Sequence, residues 1–166
     1  MGEVITRMAV DEEFYLQTST TPKFNIGVEI TVAKGLEIPT VYKYVKAAAA
    51  LTAYQPYILV HDKDGVTTAS PATSTVPVIV GVPQVAIAKD AYGFVAIGGL
   101  CKAKTGIQAA GDTLEVINSG TTLIVDGSSG TPAETVNTVA ISCETAAAAA
   151  TVKVQLLNKR VQLAAS

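Results

Sequence analysis

Between Val85 and Asp126 the chain reads VAIAKDAYGFVAIGGLCKAKTGIQAAGDTLEVINSGTTLIVD, and this stretch limits the possible fold more than any other. Gly93 to Ile97, Leu100 to Thr105, Thr113 to Asn118 and Thr121 to Val125 are short runs of strand-forming residues, each closed by glycine or by an Asx, Ser or Gly turn. Runs this short, this close together and without a helical period predict a β-meander. The expectation is an all-β chain: a compact β-barrel, a β-tulip or a small sandwich of short antiparallel strands, with an extended N-terminal arm.

The remaining segments extend that pattern. Residues 1–39 open with Glu3, Arg7, Asp11, Glu12 and Glu13 and pass through the polar QTSTTPKFN link. They then alternate Val28, Ile30 and Val32 with Glu29 and Thr31, as a half-exposed strand does. No partner strand lies nearby in sequence, so 1–39 reads as an arm whose backbone is satisfied on a neighbour or along the domain edge. TVYKYVK (40–46) is a strand with both faces used, and AAAALTAYQP allows at most a turn of helix. PYILV and VTTA flank HDKDG, and Asp-Gly between two such runs signals a hairpin. The prolines of SPATSTVPVIVGVP restrict any strand there to Val78–Val82, at an edge. Val136, Val139 and Ile141 mark a further strand, and Val152, Val154 and Leu156 alternate with Lys153 and Gln155 in a closing one. The division is therefore an arm at 1–39, a β domain at 40–157 and a tail at 158–166.

Several classes of function are disfavoured by the residues themselves. Charged residues are 16% of the chain, net charge is −2, and the only adjacent cations are Lys102/Lys104 and Lys159/Arg160, so no nucleic-acid partner is expected. No apolar run approaches the ~20 residues that span a bilayer, so no membrane partner is expected either. Asp62, Asp64 and Gly65 resemble the start of a calcium loop, but no third ligand or bidentate Glu follows. Cys101 and Cys143 lack zinc spacing and are expected to be buried, reduced thiols. His61 has no nucleophile frame around it, and neither a phosphate loop nor a dinucleotide fingerprint is present. No catalytic residue, metal site or cofactor is expected, and the chain is not read as an enzyme. Aromatic residues are 5% with no Trp; a core of Ala, Val, Ile and Leu suits thin sheets and close subunit contacts better than an aromatic-walled pocket.

Taken in order, TVYKYVKAAAALTAYQPYILV, VIVGVPQVAIA, YGFVAIGGLCKAKT, AAGDTLEV and VAISCETAAAAATVKVQLL resemble the head decoration, or cement, proteins of tailed bacteriophages, over about Thr40 to Leu157. The resemblance implies a β-barrel or β-tulip on the outer capsid surface of a virion assembled in the host cytoplasm, often a homotrimer, clamping neighbouring subunits of the major capsid protein. It carries over no site residue. The arm, through Val28, Ile30 and Val32, is the candidate capsid contact, adding a strand to a capsid loop. The alternative is a carbohydrate- or receptor-binding β module of a fibre or adhesin, for which Tyr42, Tyr44, Tyr54 and Tyr57 form the available aromatic cluster.

Overall fold

Two of the expected runs, on either side of Gly98-Gly99, form a single strand in the computed structural model. The structure describes residues 13–62, 65–69, 78–116, 121–125, 138–158 and 160–161. That strand, β6 (Tyr92–Thr105), has 14 residues and would span ~45 Å if straight. Its glycines bend it without ending it. Gly99 has a φ of +76°, and a Cβ there would lie 1.7 Å from the Pro39 carbonyl oxygen, so only glycine permits the approach. A register shift opposite Val41 and Tyr42 marks the irregularity on the partner strand, as a bulge at a barrel corner does.

The first half of β6 closes a five-stranded barrel. β2 (Thr40–Ala47) runs antiparallel to it. β3 (Tyr57–Asp62) and β4 (Gly65–Ala69) form the expected hairpin, in which Asp62 faces Gly65. β4 returns to β2 in a short parallel pairing at Lys46 and Ala47. β3 also pairs with β5 (Val78–Pro83), and β5 pairs with β6. Around the ring the order is β2-β4-β3-β5-β6.

The second half of β6 begins the same pattern again. β7 (Thr113–Val116) and β8 (Leu123–Val125) pair antiparallel. β9 (Thr138–Ser142) pairs with β7 and with β10 (Ala150–Leu157). β10 lies antiparallel along β6 from Gly98 to Thr105. β8 meets β6 in parallel at Thr105 and Leu123, where the Gly106 N–H donates to the Leu123 carbonyl at 2.8 Å. The order β6-β8-β7-β9-β10 repeats that of the first ring, with β6 as the last strand of one and the first of the next. The end of each ring is tied by an equivalent antiparallel bridge, Leu51 with Ile87 and Gln108 with Ala146.

Strand alternation fills both interiors with small and branched side chains. Val45, Ala47, Leu59, Ile87, Val95 and Ile97 occupy the first. Cys101, Ala103, Leu114, Val116, Leu123, Val152 and Val154 belong to the core that continues into the second.

The region read as an arm, with its backbone satisfied on a neighbour or along the domain edge, lies along the domain edge. β1 (Glu29–Val32) pairs antiparallel with β2 from Glu29/Lys43 to Val32/Thr40, so the partner strand comes from this chain and not from a neighbour. Upstream, a single 3-10 turn at Phe14–Leu16 lies over β6, and Ser19 bridges to Tyr92. The β1–β2 pairing joins two segments on either side of residue 39 that no turn signal links in sequence. Past β10, β11 (Arg160–Val161) pairs with β5, so the tail too adds a strand.

Candidate interaction surfaces

The outer face of the first barrel is apolar and is covered by the chain itself. Cross-strand partners share a face, so the Ile30/Tyr42 and Tyr44/Phe94 pairs set Val28, Ile30, Val32, Tyr42, Tyr44 and Phe94 on one side. Phe14, Tyr15, Leu16 and Phe24 close over them. Phe94 meets Tyr44 at 4.9 Å, Phe24 at 5.4 Å and Phe14 at 5.8 Å between ring centroids. Such contacts between rings add to the burial of area.

Val28, Ile30 and Val32, the candidate capsid contacts, are therefore half-buried against the core. Their alternation is that of a strand with one wet face, as the sequence indicated; their apolar side chains are already used. What β1 still presents is its edge. Among the described strands it pairs with β2 alone, and in an antiparallel pair every second residue directs its N–H and C=O away from the partner.

The tyrosines considered for sugar stacking are also committed. Tyr42, Tyr44 and Tyr57 are buried, and only Tyr54 is half-exposed. The Tyr44 hydroxyl accepts the Lys23 N–H at 3.0 Å, and that of Tyr57 accepts the Thr52 N–H at 2.8 Å. Burial pushes the Tyr42 hydroxyl well above the usual phenol range, with Tyr15 and Cys101 adding to the shift.

A cleft of about 300 Å³ lies beside this covered face. Its walls come from the 33–39 turn, the start of β2 and the outer side of β6 and β10. Tyr15, Val32, Ile38 and Leu100 supply apolar surface, and Lys34, Lys102 and Lys153 bring cations to it. Lys153 donates to Glu37 Oε1 at 3.3 Å. The Lys34 ammonium stands 5.4 Å over the Tyr15 ring and is raised in pKa chiefly by Tyr15. Even so, among the described residues the buried Tyr15 hydroxyl makes no well-formed hydrogen bond. Gln84 spans the edge of β6 here, donating to the Lys102 carbonyl at 3.0 Å and accepting its N–H at 3.1 Å.

The cysteines divide. Cys101 is buried and free, its thiol pushed up to about 12 by burial, with Cys143 adding to the shift. Cys143 is exposed, against the expectation that both are buried, because it stands where β9 has ended and its N–H turns to the Lys153 carbonyl at 3.0 Å. Asp64 and the side chains of His61 and Asp62, weighed above as a calcium loop and a general base, lie outside the described residues. Among the described residues, no cluster of His, Cys, Asp and Glu could hold a metal ion, and no helix is long and apolar enough to cross a membrane.

No protein-family model matches the chain, and no curated protein matches its sequence. Among solved structures, the chain is similar to the head fiber gp8.5 N base of bacteriophage phi29, with a TM-score of 0.50 and 16% sequence identity. The match covers 74% of this chain and 98% of that one. At that identity the likeness is one of fold.

Proposed function

We propose that this chain is a structural protein of a bacteriophage virion, seated on the outside of the capsid, where it binds major capsid protein subunits and holds them together as a decoration protein. The observation that carries the reading is the likeness in fold to a phage head fiber base across nearly the whole of that base. It agrees with the order of motifs shared with decoration proteins, a resemblance reached from sequence. The buried tyrosines count against the sugar-binding role in the fibre or adhesin alternative, since three of the four tyrosines considered for stacking lie in the core.

In this reading the chemistry is that of surfaces: the protein is not an enzyme and needs no cofactor. The open edge of β1 offers main-chain hydrogen bonds to an extended capsid segment. That role uses the backbone of Glu29–Val32 in place of the apolar side chains first considered. The protein is a homotrimer on its capsid, with contacts of roughly 800 Å² per partner.

The test is loading of the purified protein onto phage heads that lack it, followed by electron cryomicroscopy. Density on the outer shell at contacts between capsid subunits is the expected result. Failure to load, together with binding on a glycan array, would overturn the reading in favour of the adhesin. Light scattering at micromolar concentration and on heads tests the trimer, and a 17.1 kDa species in both counts against it.

A further inference from the structure

The repeated strand order allows the two barrels to be compared position by position. In the first, Tyr44 stands opposite Phe94, and the N-terminal segment covers the pair. The same place in the second barrel is held by Lys102 opposite Lys153. Like charges directly opposite on a sheet destabilise it, so folding alone does not explain the pair. Lys104 lies two residues along the same face, and the turn after β1 brings Lys34 to the same cleft. Against these cations the described residues set one ion-paired carboxylate, Glu37, half-exposed and bonded to Lys153; the Glu144 carboxylate is held by the Lys153 backbone N–H at 3.1 Å, and Glu13 acts on Lys34 from beyond ion-pair distance. Neither Lys34 nor Lys102 has a carboxylate at ion-pair distance among the described residues.

We infer that the cleft between the 33–39 turn and the β6–β10 face receives a carboxylate-bearing segment of a partner protein. One acidic side chain, or a chain's C-terminal carboxylate, sits between Lys34, Lys102 and Lys153, and an apolar neighbour packs on Ile38. A cleft of about 300 Å³ admits one or two residues, not a strand. On the same turn Leu36 is fully exposed and Ile38 is 48% exposed, giving the segment an apolar rim to rest on. The cations gather at one partly apolar cleft and do not track along a groove, and the chain as a whole is acidic. Those features fit a protein carboxylate and not the phosphate backbone of a nucleic acid.

The inference deepens the virion reading, on which it rests only for the partner's identity, a capsid subunit. The full chain, its Lys34→Glu/Lys102→Glu variant, the milder Lys102→Gln and a control, Lys89→Glu, are compared in loading onto heads that lack the protein. They are also titrated by NMR with a blocked Glu-Leu-Glu peptide. These lysines are exposed, so unchanged melting curves are expected and establish folding. Wild type and Lys89→Glu load alike, while the double variant loads about tenfold more weakly and Lys102→Gln falls between. Wild-type loading weakens with salt, and the peptide shifts the amides around Lys102 and Lys153. If wild type loads and the double variant loads equally well, the cleft is not the contact, although the virion reading stands. If wild type does not load, that reading fails and the peptide decides alone: localised shifts support the cleft, and none overturn it. A DNA oligonucleotide binding there more tightly than the peptide would overturn the assignment to protein.

Discussion

The two barrels are built by one strand order and finished in opposite ways. In the first, the face of β2 and β6 that points away from the interior is aromatic, and the chain supplies its own cover from Phe14 to Phe24. In the second, the corresponding face of β6 and β10 carries Lys102, Lys104 and Lys153 and remains open. The interior of a small barrel constrains only every second residue, so the other half of each strand is free to follow the surroundings. An aromatic outer face must be buried by this chain or aggregate, whereas a lysine face is stable in water and still able to meet an acidic partner. The difference between the barrels is thus one between a surface used in folding and, in the proposed reading, a surface left for assembly.

The largest expected effect comes from removing the cover. Deleting residues 1–27 exposes the aromatic face of the first barrel and discards Phe14, Tyr15, Leu16 and Phe24. At about 1.5–3 kcal/mol for each large side chain returned to water, the loss is about 5 kcal/mol or more, comparable to the whole stability of many domains. A free arm would instead leave the melting midpoint unchanged. Single substitutions put the same contrast at one register position: Phe94→Ala is expected to cost about 3–5 kcal/mol, and its counterpart Lys153→Ala less than about 1 kcal/mol, since Lys153 and Glu37 form an exposed pair. Denaturant titration measures both, and equal losses would break the comparison.

The shared strand gives the next effect. Gly99→Ala must place a Cβ against the Pro39 carbonyl at a positive φ, for about 2–4 kcal/mol of lost stability. Gly111 also has a positive φ, +92°, yet nothing lies within 4 Å of the Cβ position, so Gly111→Ala is expected to cost only about 1–2 kcal/mol. If the two cost the same, the close approach of β6 to Pro39 is not what demands glycine. Because β6 belongs to both rings, the Gly99 variant should also unfold in one transition seen equally by probes in either barrel.

Much of this architecture was legible in the residues. Alternation at Val152, Val154 and Leu156 and the Asp-Gly hairpin located β10 and the β3–β4 pair, because both signals are local. The repeat was not legible. The strands that correspond, TVYKYVKA and the end of β6 at LCKAKT, share interior size and little else, their outer faces having gone to aromatics in one and lysines in the other. Gly98-Gly99 read as a break because glycine's tolerance of a bend and its tendency to end a strand look alike in sequence. The lysine cleft was visible only as Lys102/Lys104; Lys34 and Lys153 join it through pairings of β1 with β2 and of β6 with β10, which no local pattern encodes.

A pH titration sharpens the comparison from inside the core. Cys101 in the second barrel titrates at about 12 when folded against an ordinary 9 or so, and Tyr42 on the first is likewise raised. Both groups are favoured in their neutral forms by the fold. Their contribution is therefore fully present below the unfolded pKa values and is lost as pH rises through the window between unfolded and folded values. For Cys101 that window opens near pH 9, and stability should fall by about 1 kcal/mol between pH 9 and 10. Cys101→Ala should flatten that step and leave the steeper loss above pH 10 that Tyr42 contributes. A full-size step surviving in Cys101→Ala would mean that the thiol is not its source. Below pH 9, thiol reagents should modify the exposed Cys143 and spare Cys101 until the protein unfolds.

The smallest effect has the most diagnostic sign. Tyr15 belongs to the cover, is 2% exposed, and holds a buried hydroxyl with no hydrogen-bond partner among the described residues. Its ring packs 4.8 Å from that of Tyr42 and 6.0 Å from that of Phe14, so the ring is what the cover needs. An unpaired buried hydroxyl costs free energy that a hydrogen at the same place does not. Tyr15→Phe is therefore expected to leave stability unchanged or raise it by up to about 1 kcal/mol, while Tyr15→Ala loses about 3–5 kcal/mol. Paired denaturant titrations decide it. A loss of more than about 1 kcal/mol in Tyr15→Phe would show that the hydroxyl has a partner after all, through Lys34 or an ordered water. The cover would then be held at the cleft by polar contacts as well as by rings, and the division between a surface for folding and a surface for assembly would fail where the two faces meet.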